Sequence, residues 1–208
     1  MSITFTPNLS TLQALAPASA CPGLAEGTLL LTQNGAQAVE TLKPGDKVIT
    51  RDHGLQPLRW LGSSEVAQEQ PVHFEAGALG AHESITLSAQ SRVLIRHRLA
   101  KALFDEAEVF AFAADLVNGS TIRRLPDAAG LRMYHLLFDH HEILRAAEME
   151  VESLHPDRSL MRQLDAATQA AILRLLPNTD ALMGYGYGPT ARICLRRAEA
   201  RLICGGNR

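Results

Sequence analysis

From Thr28 onward the chain runs in short apolar segments cut by turn residues: "TLLLT" then Asn34-Gly35, "QAVETL" then Pro44-Gly45-Asp46, "KVITRD" then Gly54, then "LQPLRWLG". Asn-Gly between two apolar runs is a strong hairpin signal, and Pro-Gly suits a type II turn with glycine in its positive-φ position. The same texture continues through "PVHFEAG", "SITLSAQSRVLIRH", "EVFAF", "STIRRL", "LRMYHLLFDHHEIL" and "MEVESL". These pieces have strand length and do not alternate with long helices as a parallel sheet requires. Within this region only "AFAADLVNG" reads as a short helix, ended by Asn118-Gly119. After Pro156 the pattern changes. "RSLMRQLDAATQAAILRLL" and "TARICLRRAEARLIC" carry few β-branched residues, and the second places Ala191, Cys194, Ala198 and Leu202 at helical spacing. The expectation is a mainly β protein with a leader or linker at 1–22, a β-rich domain at 23–155 and a helical C-terminal extension at 156–208.

Composition narrows the function classes. With 46% hydrophobic residues in 208, the chain can bury a core of domain size. A net charge of −2 gives no global field for nucleic acid, so none is expected as a partner. No apolar run approaches the roughly 20 residues of a membrane span, and "MSITFTPNLS" lacks the basic start of a Sec-type signal. A cytoplasmic location is the default, with signal-less export as the alternative. Three scattered cysteines, Cys21, Cys194 and Cys204, make neither a disulfide framework nor a zinc site.

The candidate chemistry starts with "YHLLFDHHEIL", which holds His135, His140 and His141. On a straight strand His135, Asp139 and His141 share one face, yet His135 and His141 stand about 20 Å apart, too far to share one ion. A turn near Asp139-His140 would instead give two short strands with structural histidines. No metal is expected on either geometry. "GYGYG" at 184–188 opens no phosphate-binding helix, so no cofactor is expected either. Arg192, Arg196, Arg197 and Arg201 form a basic stripe, read either as a solvated helix face or as a contact for an anionic partner.

Read as one string, "GLAEGTLLLTQNGAQAVETLKPGDKVITRDHGLQPLRWLG" resembles the opening of a Hint domain, the Hedgehog/intein-type autoprocessing module, in its bacterial branch. "PVHFEAGALG", "SAQSRVLI", "FAADLVNG", "YHLLFDHHEIL" and "VESLHP" follow in the order expected for that family. The resemblance implies a compact β-rich horseshoe with the chain ends close together. It also implies autocatalytic peptide-bond cleavage through a thioester, with an initial cysteine as nucleophile and a second-block histidine that protonates the departing nitrogen. Both positions depart from the family pattern. Gly23 stands where the cysteine is expected, and Ser91 where the histidine is expected. Glycine has no nucleophile, and a serine hydroxyl does not titrate near neutrality.

Two functions follow. In the first, self-cleavage is lost and the domain binds or scaffolds, its partner being another protein or its own flanking segment. In the second, Cys21 attacks from a shifted register, with Ala20-Cys21 as the scissile bond and a histidine of the cluster, His135 or His141, as the acid. A conventional hydrolase using Ser91 and His135 is a third possibility with no positive feature behind it. Cys194 and Cys204, placed on one helix about 15 Å apart, are expected to stay unbridged.

Overall fold

The computed structural model describes residues 21–66, 70–176 and 186–204. Fourteen short strands dominate: β1 Leu24–Ala25, β2 Leu29–Thr32, β3 Gly35–Ala38, β4 Lys47–Thr50, β5 Gly54–Pro57, β6 Trp60–Glu65 and β7 Val72–Phe74. There follow β8 Ile85–Leu87, β9 Arg92–Arg96, β10 Glu108–Phe112, β11 Ile122–Arg124, β12 Arg132–Leu137, β13 Ile143–Ala146 and β14 Met149–Glu152. Four helices complete the described chain: α1 Arg98–Phe104, α2 Arg158–Met161, α3 Ala166–Leu175 and α4 Arg197–Cys204. The protein is mainly β, as its turn-punctuated apolar runs require.

Two antiparallel sheets carry these strands. One has the order β11-β7-β8-β1-β12-β6, and the other runs β10-β9-β14-β13-β2-β4-β5 with β3 on β2. The turn signals act as read: Gly35 at φ 91° opens β3, and Gly45 at φ 98° turns the chain after Pro44. Alternation is clean in β4, where Val48 and Thr50 are buried while Lys47 and Ile49 face outward. The main core joins both sheets through Leu30, Val48, Phe74, Leu87, Val93 and Phe138 and takes in Ala200 and Ile203 of α4.

Several sequence expectations change. Of the two geometries open for 131–144, the straight strand gives way to the turn at Asp139-His140, and β12 belongs to one sheet and β13 to the other. Arg59 holds Asp139 through two hydrogen bonds of 2.8 and 2.6 Å, and Phe138 is fully buried at the corner. The expected helix in "AFAADLVNG" is only a 3-10 turn at Ala113–Asp115, whereas α1 was not foreseen; His97 caps it by accepting from the Leu99 amide. Helix 158–176 is broken before Asp165, whose carboxylate caps α3 at the Ala167 and Thr168 amides. In the last expected helix, the residues from 190 to 196 are not helical. Cys194 pairs with Phe110 in a parallel bridge, so its ten-residue distance from Cys204 does not run along one helix. Leu202 is 58% exposed and lies outside the core. The arginine stripe is not one helix face, since Arg192 precedes α4 and pairs with Asp52 and Glu108.

Candidate functional site

The two-residue strand β1 sits in the middle of the six-stranded sheet, paired with β12 on one side and β8 on the other. The peptide that enters it, Pro22–Gly23, is therefore fixed by residues that lie 68 and 113 positions away in sequence. The Gly23 amide donates to Ser91 Oγ at 2.8 Å. The Ser91 hydroxyl donates back to the Gly23 carbonyl at 3.0 Å, and the Ser88 amide donates to the same oxygen at 2.9 Å. On the other side of the bond, His135 Nδ1 lies 2.8 Å from the Pro22 carbonyl. A carbonyl only accepts, so Nδ1 carries the proton; Nε2 then accepts from the Ser64 hydroxyl, 2.8 Å away.

His135 is 1% exposed, and burial pushes its pKa down to about 4, the Pro22 bond opposing only part of that effect. The ring is neutral at pH 7 and serves as an N–H donor to the carbonyl. It also fills the space beside residue 23. A Cβ built on Gly23 would lie 3.0 Å from both His135 Cε1 and Nδ1 and 3.3 Å from Met133 Cβ. Any side chain there requires the imidazole to give way by a few tenths of an ångström. Ser64 is wholly buried behind the ring and meets the imidazole at the nitrogen opposite the peptide. It orients the histidine, as second partners of functional imidazoles commonly do.

His141 stands outside this cluster. Its Nδ1 accepts from the Ala191 amide at 3.0 Å, which leaves Nε2–H to donate to Glu152 and to the Ser153 carbonyl, both at 3.1 Å. Buried Glu152 also accepts from the Arg92 backbone amide at 2.8 Å and from its guanidinium at 2.9 Å. His155 packs edge-on against His141 with ring centroids 5.0 Å apart; its pKa is lowered first by burial and then by His141. A cleft of about 270 Å³ opens between Pro22, Arg92, Phe112, Glu152, His155 and Ser159. Arg92, Glu152 and His155 thus share one cleft with Pro22. Sequence reasoning missed Ser64, Arg92, Glu152 and His155, although the last three lie within the quoted blocks "SAQSRVLI" and "VESLHP".

Cys21, one residue before Pro22, is 1% exposed and belongs to an apolar cluster with Trp60, Leu137, Leu154 and Leu160. Gly62 makes this wall possible, since a Cβ there would sit 2.0 Å from the Trp60 ring. Cys194 and Cys204 carry free thiols. Among the described residues no group of three or more His, Cys, Asp or Glu side chains is placed to hold a metal ion, and no helix is long and apolar enough to cross a membrane.

This arrangement, with β1 entering mid-sheet and its leading peptide gripped at both ends, accompanies a sequence match to the Hint domain family over residues 22–158. The chain belongs to that family. Among solved structures the chain is similar, at low identity, to inteins and an intein-like domain. A bacterial intein-like domain from Clostridium thermocellum is 18% identical, covering 62% of this chain and 96% of that one, with a TM-score of 0.46. The MchDnaB-1 intein is 14% identical over 62% of this chain and 98% of that one, with a TM-score of 0.44. The gp41-1 intein is 14% identical over 64% and 98%, at 0.38. No curated protein matches the chain.

Proposed function

We propose that this Hint domain holds the Pro22–Gly23 bond without cutting it and serves as a binding or scaffolding module. The observation that carries the reading is the double grip on a bond that has no attacking group beside it. His135 donates to the carbonyl where an oxyanion would develop, and Ser91 accepts the amide proton where an acid would be needed. Half of a cleavage site is thus present. The missing half is chemical: residue 23 has no side chain, and a hydroxyl cannot protonate a departing amide nitrogen as an imidazolium does. The His135 ring lies within 3.0 Å of the position a Cβ at residue 23 would take, which favours glycine there.

A second reading, autoproteolysis by Cys21 at the Ala20–Cys21 bond, draws on the position of this thiol one residue before Pro22, whose carbonyl His135 holds. The Cys21 side chain shares an apolar cluster, which favours a packing role. One experiment separates the two. The unmodified chain stays whole, while Gly23→Cys with Ser91→His gains thiol-dependent cleavage after Pro22. Fragments from the unmodified chain that vanish in Cys21→Ala would favour the second reading.

A further inference from the structure

The helical segments after Pro156 share an apolar cluster with the residue just upstream of the held bond. That cluster unites Cys21 with Trp60, Leu137 and Leu154 at the ends of strands and with Leu160, Met161, Leu164, Ile172, Leu176 and Tyr187 of the extension. It is separate from the main core, which draws on α4 and not on α2 or α3. Of its ten buried members, six come from the extension and one from the upstream flank.

The extension is fastened on both sides of this cluster. Before it, the Leu154 amide donates to the Leu136 carbonyl of β12 at 2.7 Å. After it, the Tyr187 hydroxyl donates to the Phe138 carbonyl at 3.0 Å, and His155 Nε2 donates to the Gly188 carbonyl at 3.1 Å. The Ala191 amide then reaches His141, Arg192 pairs with Asp52 and Glu108, and Cys194 bridges to Phe110. Helices α2 and α3, with Tyr187, thus cover the buried upstream residue between ties to the domain on either side, and we call these described parts of the extension the strap.

We infer that the C-terminal extension is a clamp for the upstream flank, with an apolar seat that selects a small apolar side chain at position 21. This rests on the reading that Pro22–Gly23 is held uncut. The clamp adds a grip the bond itself lacks: His135 and Ser91 reach the main chain of Pro22 and Gly23 and do not read the side chain at 21, whereas the seat encloses it. A charged residue at 21 would shed its water inside a cluster of apolar side chains, and a large one would push the strap away.

The test uses the three natural cysteines of the full chain, alkylated with N-ethylmaleimide under native conditions and read peptide by peptide by mass spectrometry. Cys21 should react at least about 100-fold more slowly than in the chemically unfolded chain, because it reacts only when the strap opens. Ile172→Ala and Leu164→Ala, both remote from Gly23, should each accelerate Cys21 about tenfold while the Cys194 and Cys204 rates stay unchanged. The clamp is refuted if Cys21 labels as fast as in the unfolded chain, if neither substitution accelerates it, or if all three thiols accelerate together. Self-cleavage would appear in the same spectra as separate fragments, so failure of the uncut reading is distinguishable from failure of the clamp.

Discussion

Acidification from about pH 7 to about pH 5 should cost the fold about 2 kcal/mol through His135 alone. The ring is wholly buried with its Nδ1 proton on the Pro22 carbonyl, and its pKa falls from 6.5 to about 4 on folding. A folded value below the unfolded one means that the unfolded chain binds the proton first. His135 is therefore neutral in both states above the unfolded pKa and costs nothing there. Stability drains away as pH falls through the window from 6.5 to about 4. The full gap corresponds to about 3 kcal/mol, of which about 2 is lost by pH 5, where the unfolded ring is almost fully charged and the folded one is not. His155, lowered by burial, adds a loss of the same sign, whereas His53, raised by the Glu142 carboxylate, acts in the opposite sense. The comparison must therefore be differential. His135→Asn keeps an N–H donor for the carbonyl and removes the titration. Urea unfolding followed by the single tryptophan, Trp60, should show the wild type losing about 2 kcal/mol more than the variant between the two pH values. Equal losses, or an NMR titration of His135 centred near 6.5, would refute the buried, neutral donor.

Two further outcomes follow from backbone and packing. Gly62→Ala places a methyl into the Trp60 ring, at 2.0 Å, and should lower the unfolding free energy by about 3 kcal/mol in urea melts, with a changed Trp60 emission. Glu148→Gly should raise it by about 0.5 kcal/mol, because Glu148 holds φ 66° in the β13–β14 turn and its exposed pair with Arg145 contributes little.

The sequence shows the β architecture because several turns carry their own chemistry within a few residues, as Asn34-Gly35 does between β2 and β3, whereas the β13–β14 turn at Ala147-Glu148 carries no such signal. Gly23 and Ser91 could be named from the motif spacing. That they meet through two hydrogen bonds could not, since the contact closes a loop of 68 residues. The turn near Asp139-His140 was one of two geometries the sequence allowed; what it could not show is that the bend carries the chain from one sheet to the other, which explains why both halves of "YHLLFDHHEIL" are buried. The separate settings of His135 and His141 follow from that bend. The partner of His141 at Ala191 lies 50 residues away, in a segment whose helical spacing suggested a different structure. The burial of Cys21 depends on residues as distant as Tyr187, so composition near Pro22 pointed only to a linker.

The most direct test of the uncut reading is the intact mass of the full chain after incubation at neutral pH with and without hydroxylamine or a thiol. One species of full mass under every condition is the expected result. Hydroxylamine- or thiol-dependent fragments ending at Pro22, or fragments divided between Ala20 and Cys21, would contradict it, and loss of the latter in Cys21→Ala would identify the thiol as the nucleophile.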